Sequence, residues 1–190
     1  MKLLHIDSSI LGEHSASRRL SHEIAARWRA DFPAIQIEHR DLVAQELPHL
    51  SGHHLAQMQV PQSPDARILA DFLAADVIVI GAPMYNFTIP TQLKSWIDRV
   101  VVAGKTFQYG PTGPQGLVPD KRVIIALARG GIYPQNAPFE HAESYLRTVF
   151  GFMGVTDITF VRAEGLAISP EHRQKALDAA VAAIPVTKAA

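Results

Sequence analysis

Three short stretches of this chain hold residue types that can do chemistry together. The first is Asp7-Ser8-Ser9-Ile10-Leu11-Gly12-Glu13-His14-Ser15-Ala16-Ser17. Its Ser9, Ser15 and Ser17 hydroxyls, joined by the unpaired N–H groups of the helix start that follows, make an anion site without lysine. Neither a Gly-Lys-Ser/Thr ending nor a Gly-x-Gly-x-x-Gly pattern is present, so a nucleotide P-loop and a dinucleotide fingerprint are both excluded. A long serine-rich loop is shaped instead to wrap a terminal phosphate monoester. Plain helix capping by Ser15 or Ser17 would account for one serine, not three.

The second stretch is Ala82-Pro83-Met84-Tyr85-Asn86-Phe87-Thr88-Ile89-Pro90, directly after Val77-Ile78-Val79-Ile80-Gly81. Met84, Tyr85 and Phe87 offer flat apolar walls, and Asn86 can both donate and accept. A planar ligand with one polar edge fits that mix, and a flavin ring is such a ligand. The third stretch is Ala128-Arg129-Gly130-Gly131-Ile132-Tyr133, where paired glycines allow close backbone approach. A tight turn alone would also use Gly-Gly. Position decides for the site, because all three stretches follow apolar runs that read as strands.

Five such runs are present: Leu3 to Ile6, Ile35 to Ile37, Val77 to Ile80, Val123 to Leu127 and Ile158 to Val161. Helical spacing lies between and after them. Leu20, Ile24 and Trp28 share a face, as do Ile68, Leu69, Phe72 and Leu73 behind a Ser63-Pro64 cap. Leu93, Trp96, Ile97, Val100 and Val101 follow the same rule. So do Phe139, Ala142, Leu146, Val149 and Phe150 after Pro138, and finally Leu177, Ala180, Val181 and Ile184. Continuous apolar strands alternating with helices predict an α/β fold with a parallel sheet covered on both faces. The expected form is a single domain over residues 1–190, doubly wound in the flavodoxin-like order 2-1-3-4-5. In that order the loops after strands one, three and four border one crevice. Two stretches, Pro48 to Gln62 and Lys105 to Asp120, read as irregular.

Composition narrows the classes. Lys plus Arg and Asp plus Glu number 18 each, which leaves no electrostatic footprint for nucleic acid or an anionic membrane surface. The absence of cysteine excludes disulfides, thiolate metal sites and thiol catalysis, so redox chemistry would need a borrowed cofactor. No apolar run reaches membrane-helix length, and the N-terminus lacks a signal-peptide core. A cytoplasmic location is the expectation. His49, His53 and His54 have metal-compatible spacing but no nearby carboxylate, and no metal is expected. No Gly-x-Ser-x-Gly elbow supports a serine hydrolase.

Ser9 with Ser15-Ala16-Ser17, Pro83-Met84-Tyr85-Asn86-Phe87, Thr91-Gln92-Leu93-Lys94, Gly104-Lys105-Thr106-Phe107, Gly113-Pro114-Gln115-Gly116-Leu117 and Arg129-Gly130-Gly131 together resemble the FMN-dependent NADH:quinone oxidoreductases, also called azoreductases. The resemblance spans nearly the whole chain. It implies a homodimer with FMN at the subunit interface, and ping-pong transfer from NADH through FMN to quinones or azo compounds. It places the phosphate on Ser9, Ser15, Ala16 and Ser17, and the ring against Met84, Tyr85, Asn86, Phe87, Ala128, Arg129, Gly130 and Gly131. No side chain is expected to act as an acid or base. Asn86, Phe107 and Tyr133 are the expected acceptor contacts. Two departures stand out: Ala128 where the family often has Ser, and Tyr133 where it often has His. Arg129 is the group that could meet a 2′-phosphate, which leaves NADPH open beside NADH. The rival readings are an NADPH-dependent FMN reductase, a flavodoxin-type electron carrier and, more distantly, a nucleotide hydrolase.

Overall fold

A computed structural model describes residues 1–134 and 137–187. Five parallel strands form as expected, although the second starts after Ile35 and runs beyond Ile37 through polar residues to Asp41. They are β1 (Lys2–Asp7), β2 (Gln36–Asp41), β3 (Val77–Pro83), β6 (Arg122–Ala128) and β7 (Asp157–Ala163), ordered β2-β1-β3-β6-β7. This is the doubly wound order, with an antiparallel hairpin of β4 (Phe107–Gly110) and β5 (Gly113–Gly116) inserted before the fourth sheet strand. Among the described residues six α-helices accompany the strands: α1 (Ala16–Asp31), α2 (Gly52–Gln57), α3 (Pro64–Ala74), α4 (Thr91–Val100), α5 (Ala142–Phe152) and α6 (Pro170–Ala182).

Alternation along each strand splits the core in two. Leu4, Ile6, Ile78, Ile80, Val123, Ile125 and Leu127 face a layer that includes Phe72 of α3, Trp96 of α4 and Phe150 of α5. Leu3, Val77, Val79, Ile124, Ala126 and Val161 face Leu20, Ile24 and Trp28 of α1 and Leu177 of α6. Every residue of β3 is buried, as a central parallel strand requires. Each large apolar side chain so buried contributes about 1.5–3 kcal/mol, which fixes the strand ends and the loops leaving them.

Three local expectations are corrected. The α5 helix opens at Ala142, not at Phe139. Glu140 Oε1 accepts from the amides of Ala142 (3.0 Å) and Glu143 (2.9 Å), which starts the helix there and leaves Phe139 in a turn. The stretch from Pro48 to Gln62 contains α2, capped reciprocally by Ser51 and His54, and Arg99 holds its start by donating to Pro48 O at 2.9 Å. The segment from Lys105 to Asp120 is largely the β4–β5 hairpin. It docks backbone to backbone on the end of α5: a Cβ on Gly116 would lie 2.1 Å from the Gly154 nitrogen. Gly154 itself has φ 95°, and Val118 N donates to Met153 O at 3.0 Å.

Candidate functional site

The loops after β1, β3 and β6 leave the same edge of the sheet, and hydrogen bonds tie them into one structure. The Tyr85 hydroxyl lies 3.2 Å from Ser9 Oγ and accepts from Ile10 N at 3.2 Å, joining the loop after β3 to the loop after β1. Met84 N donates to Ala128 O at 2.8 Å, joining the loop after β3 to the end of β6. The crevice thus forms where the winding direction reverses.

In the loop after β1, Ser15 is the N-cap of α1 and accepts from Arg18 N at 3.2 Å. Its hydroxyl also lies 3.1 Å from that of Ser17, and Ser9, Ser15, Ala16 and Ser17 are all buried. By their place in the first turn, the amides of Ala16 and Ser17 have no partner along the helix. Arg18 folds back to donate twice to Ser9 O, at 2.8 and 3.1 Å, and grips Asp41 in a two-pronged ion pair. That guanidinium holds the Asp41 carboxyl below its usual range. Ser8, by contrast, turns inward and donates to Gly81 O.

The loop after β3 is a two-residue reversal. Tyr85 and Thr88 exchange backbone hydrogen bonds, and both residues between them have positive φ, 47° for Asn86 and 73° for Phe87. This matches a type I′ turn, which normally asks for Asn or Gly. Asn86 suits the position; Phe87 is strained there. Both side chains are exposed, while Tyr85 is half-buried by its bonds to the first loop. Phe87 O accepts from His141 N at 2.9 Å, and the Phe87 ring meets Phe139 edge-on at 6.1 Å. Phe139 in turn meets Tyr133 at 5.9 Å. Sequence reading assigned Phe139 to a helix face and so missed it as a wall of this site; its place beside Pro138, a turn signal, was the available clue.

The loop after β6 is stiffened by charge. Arg129 is buried, with its guanidinium 3.0 Å from Glu143, 3.0 Å from Glu164 and 3.3 Å from Glu140. Arg147 and Arg162 complete the network on Glu143. Burial works to raise the Glu143 carboxyl, yet hydrogen bonds from Arg162 and Arg147 bring it down to about 2. The backbone is pinned as well: Arg129 N donates to Ala163 O, while Gly130 O and Gly131 O accept from Ala167 N and Gly165 N. Gly130 and Gly131 are exposed. A side chain on Gly131 would press within 3.3 Å of the Tyr133 ring. Phe107 is buried in the hairpin against Phe152 at 4.6 Å; the exposed aromatic there is Tyr109.

The fit to a flavin mononucleotide follows from this donor set. Serine hydroxyls and free first-turn amides suit a phosphate; Glu13 of the loop is exposed, and the buried Asp7 before it is occupied by Ser21 and the histidines around it. Arg129 Nε is a buried donor with no hydrogen-bond partner among the described residues. The positive-φ turn and the double glycine present backbone and flat apolar surface, not fixed charge.

Comparison with known proteins agrees with this geometry. The profile of a protein family described as a flavodoxin-like fold matches residues 1–185. A protein of Bradyrhizobium diazoefficiens named FMN-dependent NADH:quinone oxidoreductase 2 is 54% identical over 202 residues, covering 100% of both chains. A Stenotrophomonas maltophilia protein named FMN-dependent NADH:quinone oxidoreductase is 52% identical over 97% of this chain and 95% of its own. Among solved structures, an FMN-dependent NADH-azoreductase from Bacillus anthracis in complex with FMN superposes with a TM-score of 0.84 at 28% identity, covering 96% of this chain and 97% of that one.

Proposed function

The chain belongs to this flavodoxin-like family, and from that premise we propose that it is an FMN-dependent NADH:quinone oxidoreductase that also reduces azo compounds. The observation that carries the reading is the union of three loops at one sheet edge through the Ser9–Tyr85 and Met84–Ala128 hydrogen bonds. When bound, FMN supplies two-electron chemistry, taking hydride from NADH and passing it to a quinone or azo acceptor in a ping-pong cycle.

The chain's own residues then bind, orient and exclude. Ser9, Ser15 and Ser17, with the amides of Ala16 and Ser17, hold the phosphate. Tyr85 braces that loop by its hydroxyl, so its ring is a strut as much as a wall. Met84, Asn86 and Phe87 line the ring, with the Asn86 amide meeting its polar edge. The backbone amides of Asn86, Phe87, Gly130 and Gly131 would supply the donors to the ring, since those of Met84, Tyr85 and Arg129 are already bonded to Ala128 O, Thr88 O and Ala163 O. Ala128 takes part through its carbonyl, already bonded to Met84 N, so the missing hydroxyl at this position costs the site little. Asn86 and Tyr133 face the acceptor with Phe139 behind them, and Phe107 acts indirectly by anchoring the hairpin. Enclosed by three carboxylates, Arg129 offers no charge to a 2′-phosphate, which favours NADH.

The exposed apolar side chains Ile10, Leu11, Phe87 and Ile132 support closure of the site by a second copy of the chain. The cytoplasm, where NADH is supplied, is the proposed location. The test is direct. Purified protein incubated with FMN quenches its fluorescence and co-elutes with it, and then sustains NADH oxidation with benzoquinone while the flavin stays bound. Flavin released during turnover would instead favour an FMN reductase. Flavin retained without steady NADH oxidation would favour an electron carrier. Failure to bind FMN at all would end the proposal.

A further inference from the structure

At the base of the loop after β1, the fold gathers four metal-ligating side chains that lie far apart along the chain. Parallel register sets His5 of β1 opposite His39 of β2, and Asp7 lies two residues beyond His5 on the same face of the strand. The α1 helix covers that face and sends in His22. All three imidazoles bring Nε2 to one oxygen, Asp7 Oδ2, at 2.9 Å from His39, 3.2 Å from His22 and 3.6 Å from His5. One ligand atom from each of the four residues lies within 4.8 Å of all the others.

Hydrogen bonding leaves this cluster incomplete. Asp7 is fully buried and Oδ1 accepts from the Ser21 hydroxyl at 2.7 Å. His5 is 3% exposed, and its Nε2 is buried with no hydrogen-bond partner among the described residues, although it lies 3.6 Å from the shared carboxylate. Such an orphaned nitrogen is unfavourable in a protein interior unless something else fills its lone pair or takes its proton. The neighbouring Arg18 does not do so, since its nearest approach to Asp7 Oδ2 is 3.9 Å and its two-pronged pair is with Asp41. A cation at the centre would satisfy all four groups at once.

We propose that His5, His22 and His39, through Nε2, and Asp7, through Oδ2, form a tetrahedral site for a divalent transition-metal ion of the zinc class. Donors about 2.0–2.1 Å from a tetrahedral zinc stand roughly 3.3 Å from one another, and the three distances to Asp7 Oδ2 bracket that separation. Three imidazoles with one carboxylate suit zinc, cobalt or nickel. A single carboxylate is too few oxygens for calcium or magnesium, and no thiolate is present to select copper(I). Four protein ligands close the coordination sphere, so the ion would be structural. It would lock β1 to β2 and α1 immediately before the Ser8–Ser9 loop. The His22 and His39 side chains, 59% and 41% exposed, leave an entrance from solvent.

Untagged protein, stripped with a chelator and retaining its flavin, is titrated with cobalt(II) and then zinc(II). The expected result is one equivalent of cobalt giving intense tetrahedral absorption to the red of the flavin bands, displaced by zinc, with the thermal midpoint raised by zinc. His22→Ala and His39→Ala should each abolish that absorption and weaken zinc binding more than about tenfold, with circular dichroism and quinone turnover unchanged. His22→Gln is the fallback if His22→Ala folds poorly. Absence of binding, a weak octahedral spectrum, or a signal that survives in the His22→Ala/His39→Ala double variant would overturn the proposal. A surviving signal would belong to the histidines elsewhere: His14, His49, His53, His54, His141 and His172.

Discussion

The loops after β3 and β6 border the same crevice, but different forces stiffen them. The first is held by backbone geometry: a two-residue reversal with positive φ at Asn86 and Phe87, closed by the Tyr85–Thr88 hydrogen bonds. The second is held by charge, with Arg129 buried among Glu140, Glu143 and Glu164. Both solutions keep ionised side chains away from the surface that meets the ligand. One does so by using neutral residues, the other by pairing every charge behind the loop. The first should therefore ignore pH and salt, while the second should not.

The largest effect is expected from Arg129→Ala. It leaves Glu164 and Glu140 without their shared cation, and breaking a buried network of this kind costs about 3–5 kcal/mol. Urea denaturation should show that loss together with weaker FMN retention; a cost below about 1 kcal/mol would mean that backbone bonds alone hold the loop. Acid gives a smaller and more specific probe. Glu143 is lowered to about 2 from its ordinary 4.5, so the stability it contributes is complete above 4.5 and is lost as pH falls through 2. The stability gap between the wild type and Glu143→Gln should be flat above about pH 5 and shrink steadily below it. A gap independent of pH would remove the electrostatic half of the contrast. The smallest effect belongs to Phe87→Gly. Relief of the left-handed conformation should stabilise the fold by up to about 1 kcal/mol, while loss of the exposed ring lowers acceptor turnover. Calorimetry showing destabilisation would indicate that the turn is not strained.

The sheet was legible because its central strands β3 and β6 are continuous buried apolar runs, whereas the edge strand β2, Gln36–Asp41, holds a single apolar residue, Ile37, and was found only by the short run that opens it. The three loops were legible because they follow those runs. What escaped depends on contacts that only folding creates. The β4–β5 hairpin lacks alternating apolar residues, since it rests on the Gly116–Gly154 approach and one buried ring, Phe107, and not on an apolar strand face. Phe139 fits a helical stripe by spacing, but the Glu140 carboxylate starts the helix three residues later. His5, His22 and His39 have no motif in common. Only parallel register and the seating of α1 bring them to Asp7, whereas chain spacing draws attention to His49, His53 and His54.

The seam between Gly116 and Gly154 has a mechanical consequence. With no side chain between the two glycine backbones, and the Phe107 ring packed on Phe152 beside them, a displacement of α5 is passed to the hairpin by direct contact. The opposite end of that helix carries Glu143, clamped to the arginine behind the double glycine. The helix thus works as a rigid rod between two distant borders of the molecule, so a bulkier residue at position 116 should disturb the glycine turn through the rod and not through space.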